Sequence, residues 1–209
     1  MLKSSYKDVF DMSKYFPHLL ASVYVVYWAV LAVEPVSRAV WWAENIPAIG
    51  VFAFLVLTFR SFRFSNLAYG LMAFWIFWHT MGGHYTFANV PFDFITDLFG
   101  AERNHFDRIA HYSVGFYAYP IVEFMLRRRL CGPVTATLFG LFAIMAAAAG
   151  YEIIEWWYAV LEGGDAGIEF LGSQGDIWDA QKDMLLDTLG AVSTLPLYWL
   201  VRPHKRMAG

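Results

Sequence analysis

Apolar residues dominate six stretches of the chain, near 18–34, 46–60, 66–82, 107–126, 134–156 and 183–201, and polar residues fall between them. Each stretch approaches the roughly 20 residues that a helix needs to cross the hydrocarbon of a bilayer. The pattern predicts an all-α fold: a polytopic membrane protein with a bundle of six transmembrane helices, residues 1–209 forming one integral membrane domain. No internal repeat or low-complexity tract interrupts it. The connections on one side are short. Those near 83–106 and 157–182 are long and carry or adjoin Gly82, Gly83, Gly163, Gly164, Gly167, Gly172 and Gly175. Long connections at one end of a rigid bundle are where function is expected. On the fifth span Gly140, Ala143, Ala146, Ala147 and Gly150 permit close helix packing, within one subunit or in a homo-oligomer.

Composition agrees: 58% of residues are apolar and 19% aromatic, and the mean hydropathy is +0.43. The first 17 residues hold Lys3, Lys7, Asp8, Asp11 and Lys14 with no early apolar core, so a cleaved signal peptide is not expected. The net charge of −3 hides a strong segregation. Eleven of the 15 Lys and Arg fall on one face of the bundle (Lys3, Lys7, Lys14, Arg60, Arg63, Arg127 to Arg129, Arg202, Lys205 and Arg206), while 15 of the 18 Asp and Glu fall on the other. The positive-inside rule makes the basic face cytoplasmic, with both termini there. That rule does not require the acidic excess on the opposite face. Most of the nine Trp lie near span ends, as an interfacial belt would place them. The lone Cys131 has no disulfide partner in the chain. No phosphate-cradling glycine loop, cysteine metal cluster or basic surface suited to nucleic acid is present.

Chemistry concentrates at the acidic end. His79, His84, His105 and His111 share one stratum, and the fifth span ends with Glu152 and Glu155 while the sixth begins with Asp183 and Asp187. Asp107 and His111 are four apart, Glu152 and Glu155 three apart, and Asp179, Asp183 and Asp187 successively four apart, so each set shares a helical face. Ionised groups facing lipid cost several kcal/mol, so these faces should turn inward. Stacked carboxylates then need protons, a cation or a basic partner. Only Arg38, Arg103, Arg108 and Lys182 are basic on that side. A divalent metal ion is the economical alternative: imidazole with carboxylate suits zinc, iron or manganese, and oxygen ligands alone would favour calcium. A plainer reading stands beside it, in which Asp107, Asp179 and Asp183 serve helix N-termini and His79 bonds a neighbouring carbonyl. Arg103, Asn104, His105 and Arg108 could meet an anionic headgroup or form a capped loop.

Four segments resemble a known family. They are His79-Thr80-Met81-Gly82-Gly83-His84-Tyr85-Thr86, Arg103 to Arg108 with His111, Glu152 to Trp157, and Gly175 to Asp183 running into Asp187-Thr188-Leu189-Gly190-Ala191. Together they resemble the YjdF-like family of small bacterial inner-membrane proteins, over essentially the whole chain. The last two spans are also similar to the VanZ-like group, with Glu152, Glu155, Asp183, Asp187 and Gly190 as counterparts. Glu155 stands where that pattern has Gln and Asp187 where it has Asn, so both departures add negative charge.

Three functions compete on the residues. The leading one is a metal-dependent membrane hydrolase or modifier of a lipid or lipid-linked substrate. Glu155, Asp183, Asp187 and His111 would hold the ion, His84 and Asp107 would complete or orient the set, and Glu152 would act as general base. The second is binding, transport or sensing of a cation or proton by the same groups. The inner halves of the spans offer little beyond Glu123, Ser193 and Thr194, which argues against a continuous conduit. The third is a structural or partner-binding membrane protein with polar groups scattered over separate faces.

Overall fold

The computed structural model describes residues 14–98, 100, 103–171 and 173–206; the expected features at Lys3, Lys7, Asp8, Asp11 and Gly172 lie outside them. All regular structure among the described residues is helical: α1 (Phe16–Leu31), α2 (Arg38–Thr58), α3 (Asn66–Tyr85), α4 (Asp93–Leu98), α5 (Phe106–Val114), α6 (Ala118–Arg127), α7 (Pro133–Glu162), α8 (Gly164–Leu171), α9 (Asp179–Val201) and α10 (Pro203–Arg206), with 3-10 turns at Phe87–Asn89 and Gly115–Tyr117. The helices begin where local chemistry lets them. Ser37 and Ser65 accept hydrogen bonds from the backbone N–H groups of Val40 and Ala68, capping α2 and α3. Pro133 opens α7, where its missing N–H is not needed.

Arg38–Thr58, Pro133–Glu162 and Asp179–Lys205 are long and apolar enough to cross a membrane, and Phe16–Leu31 is a shorter apolar helix. Their outward faces carry exposed Phe54, Leu57, Phe139, Phe142, Leu189 and Leu200, the inverse of a water-soluble surface. Helices cover all six expected stretches, with shifted ends. The second starts at Arg38 rather than near 46, which brings Glu44 inside a helix, and the fifth continues to Glu162. The fourth is α5 and α6 joined through the 3-10 turn at Gly115–Tyr117. The two long connections hold the short helices α4 and α8, while Gly82 and Gly83 belong to the last turn of α3. The tryptophan belt is only partial: Trp42, Trp156, Trp157 and Trp178 are exposed, whereas Trp41 and Trp75 are buried in the bundle.

Close packing of α5 against α9 sets the architecture of the acidic end. A Cβ on Gly190 would overlap the carbonyl oxygen of Tyr112, and one on Gly115 would overlap the backbone at Gly190 and Ala191. Backbones this close need glycine on both sides. Below the crossing, Tyr119, Val122, Leu195 and Tyr198 join Met72 and Tyr69 in the main core.

The basic end is closed by a satisfied buried pair. Fully buried Glu123 accepts from Arg127 Nη1 at 2.7 Å, from the Ser65 N–H at 2.8 Å and from the Ser65 hydroxyl at 2.7 Å. Arg127 also donates to the Arg63 carbonyl and lies 4.4 Å over the Phe62 ring. This network ties the turn between α2 and α3 to the end of α6.

Replacing Gly190 by Ala should separate α5 from α9 and lower stability by about 1–3 kcal/mol. Thermal unfolding of the purified protein in detergent reads the loss, and Ala at the open position Gly150 inside α7 is the control expected to hold or slightly raise the midpoint.

Candidate metal centre

Because α5 and α9 touch at glycines, the polar faces one and two turns above the crossing meet. Asp107 and His111 come from α5, Asp183 and Asp187 from α9, and all four are at least nine-tenths buried. One ligand atom each from Asp107, His111 and Asp183 lies within 4.8 Å of the others. The imidazole is fixed from behind, since Asp187 Oδ2 lies 3.3 Å from His111 Nδ1 and takes its hydrogen. That leaves Nε2 facing Asp107 Oδ1 at 3.5 Å and Asp183 Oδ2 at 3.9 Å. These separations exceed a good hydrogen bond. They are near the distance of about 3.4 Å that separates two ligands on one tetrahedral zinc ion. A carboxylate holding the far nitrogen of a ligating histidine is the usual support of such sites.

The carboxylates divide their oxygens between two partners. Asp183 gives Oδ1 to Arg108 and turns Oδ2 to the histidine, while Asp107 gives Oδ2 to Arg103 at 3.7 Å and turns Oδ1 inward. Arg108 spans the stack, pairing with Asp179 and Asp183 and reaching Asp176 Oδ2 at 3.2 Å. Arg103 reaches Asp179 Oδ1 at 2.6 Å. Arg108 and Nη1 of Arg103 are therefore engaged within the protein, while Arg103 Nε and Nη2 are buried without a hydrogen-bond partner. Lys182 Nζ lies 2.6 Å from Asp176; its hydrogen bond, and then the Trp178 N–H, hold the Asp176 carboxyl below the ordinary Asp range. At His105, burial and then the charges of Arg103 and Arg108 lower the imidazole below its ordinary value.

A cavity of about 330 Å³ opens beside the centre. Asp107, His111, Asp183 and Asp187 line one wall, and Glu44, His79, Tyr151 and Glu155 line the rest of the polar end. On this second wall His79 Nε2 lies 2.9 Å from the Glu44 carbonyl oxygen and 3.2 Å from Glu44 Oε2, and the Tyr151 hydroxyl donates to Oε2 at 3.0 Å. Gly83 makes room for this, since a Cβ there would stand 2.9 Å from that of Glu44. Glu155 is 9% exposed and makes no hydrogen bond or ion pair among the described residues. Asp187 Oδ1 is likewise buried without a partner.

Two expected participants sit elsewhere. His84 places Nδ1 2.6 Å from the Leu31 carbonyl, edge-on to Trp41 and Tyr85, and joins α3 to the end of α1. Glu152 is outside the cavity lining, although its Oε1 is buried and unpartnered and the charges of His111 and Asp183 act on it. Glu44 was missed by sequence reasoning, which began the second span after it; the available signal was a carboxylate just ahead of an apolar run. Tyr151 lies one turn before Glu155 on the same wall.

The family model described as predicted membrane protein, DUF2238, matches residues 16–206. The chain belongs to this family. The inner membrane protein YjdF of Escherichia coli (strain K12) is 34% identical over 177 residues, covering 81% of each chain. No solved structure matches. The family relation agrees with the YjdF-like resemblance and identifies a membrane protein; it lends nothing to the VanZ-like pattern.

Arg108→Ala should cost about 3–5 kcal/mol, because it strands buried carboxylates. Lys182→Ala should change stability by less than about 1 kcal/mol, as its side chain is 53% exposed. Unfolding midpoints of the two variants, measured side by side, check the contrast.

Proposed function

We propose that the protein is a six-span inner-membrane protein, both termini cytoplasmic, that holds a divalent cation at Asp107, His111 and Asp183 and uses it to hydrolyse or otherwise modify a lipid or lipid-linked substrate. The observation that carries this reading is the aimed imidazole, with Asp187 on Nδ1 and two carboxylate oxygens opposite Nε2. Buried polar groups that serve structure alone find partners, as Glu123 does at the other end. Here Asp187 Oδ1 is buried without a partner beside a cavity that Glu155 also lines.

The roles follow from position. Asp107, His111 and Asp183 are the ligands, and Asp187 orients the histidine. Glu155, unpartnered and lining the cavity, is better placed than Glu152 to take a proton from water. A divalent ion in this site would lower the pKa of water and polarise an ester or phosphoryl oxygen. The cavity below is apolar, lined by Val51, Val114, Ile121 and Ile144, with no ladder of ligands among the described residues that would pass an ion onward. That favours binding and chemistry over conduction.

Elemental analysis of protein purified without a metal-affinity tag should find one equivalent of divalent metal. Asp183→Asn should remove it, Asp187→Ala should weaken it by about 10–100-fold, and Glu155→Gln should retain it. A metal-free wild type would overturn the site. Reporter fusions at both ends of the chain should report a cytoplasmic location, and a periplasmic signal from either would overturn the topology.

A further inference from the structure

Three helices lining the cavity change character in the same direction. Descending from the acidic end, α2 presents Glu44 and then Val51, the fourth stretch presents His111 and then Val114 and Ile121, and α7 presents Glu155 and Tyr151 and then Ala147, Ile144 and Ala143. Along α7, the step from Glu155 to Ala143 covers about 18 Å at the helical rise. Protein interiors are ordinarily filled to crystal-like density, and bundle cores use large aliphatic residues to do it. Here alanines at 143, 147 and 148 of α7 face the cavity and keep it open. The result is a long apolar slot with a chemically equipped polar head.

From this gradient we infer that the cavity binds a single-chain amphiphile with a phosphate head, its chain lying along the alanine face of α7 and its head at the cation. The inference rests on the metal site proposed above. The volume of about 330 Å³ sits at the lower end of ligand pockets, about 300–1,000 Å³, and so takes one chain. The proposed cation selects the head. Glu44, Asp107, Glu155, Asp183 and Asp187 face the polar end, and a phosphate can approach five carboxylates only through a divalent cation. Chain and cation must therefore bind cooperatively, and the coupling is reciprocal.

The test is zinc affinity of the full chain in nanodiscs of zwitterionic lipid, measured alone, with dodecylphosphonate and with methylphosphonate. Dodecylphosphonate should tighten zinc binding by about tenfold, and methylphosphonate should not. Ala147→Leu, which fills the slot without touching a ligand, should bind zinc as the wild type does and lose the enhancement. Equal effects of the two phosphonates, or an undiminished enhancement in Ala147→Leu, overturn the inference and leave the metal site standing. Displacement of zinc by dodecylammonium, with no effect of dodecylphosphonate, assigns a cationic head and overturns it as well. Absence of zinc binding in the wild type removes both readings together.

Discussion

Asp176, Asp179 and Asp183 crowd one end of a helix bundle, and the guanidinium of Arg108 is the one that reaches all three. Arg108 is the cation on which the acidic end depends, and it is nearly buried. Carboxylates at this spacing on one helix face repel one another, and removal from water strengthens the repulsion. The planar fork of arginine answers several oxygens at once where an ammonium would answer one. Arg108 also belongs to α5, so the same contact that neutralises the start of α9 fixes α9 against its neighbour. The α9 N-terminus adds its own dipole to the attraction for Asp179, in its first turn.

Neutralisation from outside leaves the inner oxygens uncommitted. The crossing at Gly115 and Gly190 draws α5 and α9 together until Asp107, His111 and Asp183 share one small volume. Larger residues at the crossing would have kept the same side chains apart. The two ends of the bundle then contrast. Glu123 at the basic end is fully buried and its oxygens are met by Arg127 and Ser65, so it reads as structure. At the acidic end Asp187 Oδ1 and Glu152 Oε1 are buried without partners, which costs free energy that folding alone gives no reason to spend.

The helical plan and most of the side chains gathered at the candidate site were legible in the chain because both rest on short-range periodicity. Apolar runs give helices, and Asp107 with His111 or Asp183 with Asp187 give a face by spacing alone. What escaped depends on pairing across the fold. Glu44 looked like loop because Trp41 to Asn45 lack a continuous apolar signal, yet the Ser37 cap starts the helix ahead of them. His84 looked like a ligand by its depth, but the end of α1 claims its Nδ1 through the Leu31 carbonyl. The arginines looked too few against fifteen acids. Counting could not reveal that Arg103 and Arg108 each reach several carboxylates.

The two polar walls of the cavity differ in a way that bears on mechanism. Glu44, His79 and Tyr151 satisfy one another and stand as a rigid, hydrogen-bonded panel. The wall formed by His111 and the aspartates is instead arranged around a common point, with its outer oxygens tied back. A proton or ion path would need such groups to recur toward the basic end, and the cavity lining there turns to Val51, Ile121 and Ala143. An ion moved into that region would lose its ligands while entering a low-dielectric slot, a cost of many kcal/mol with nothing to offset it. A chain of methylenes gains free energy from the same surroundings. The gradient thus suits the two parts of the amphiphile we propose, with its head at the depth where the imidazole and carboxylates converge.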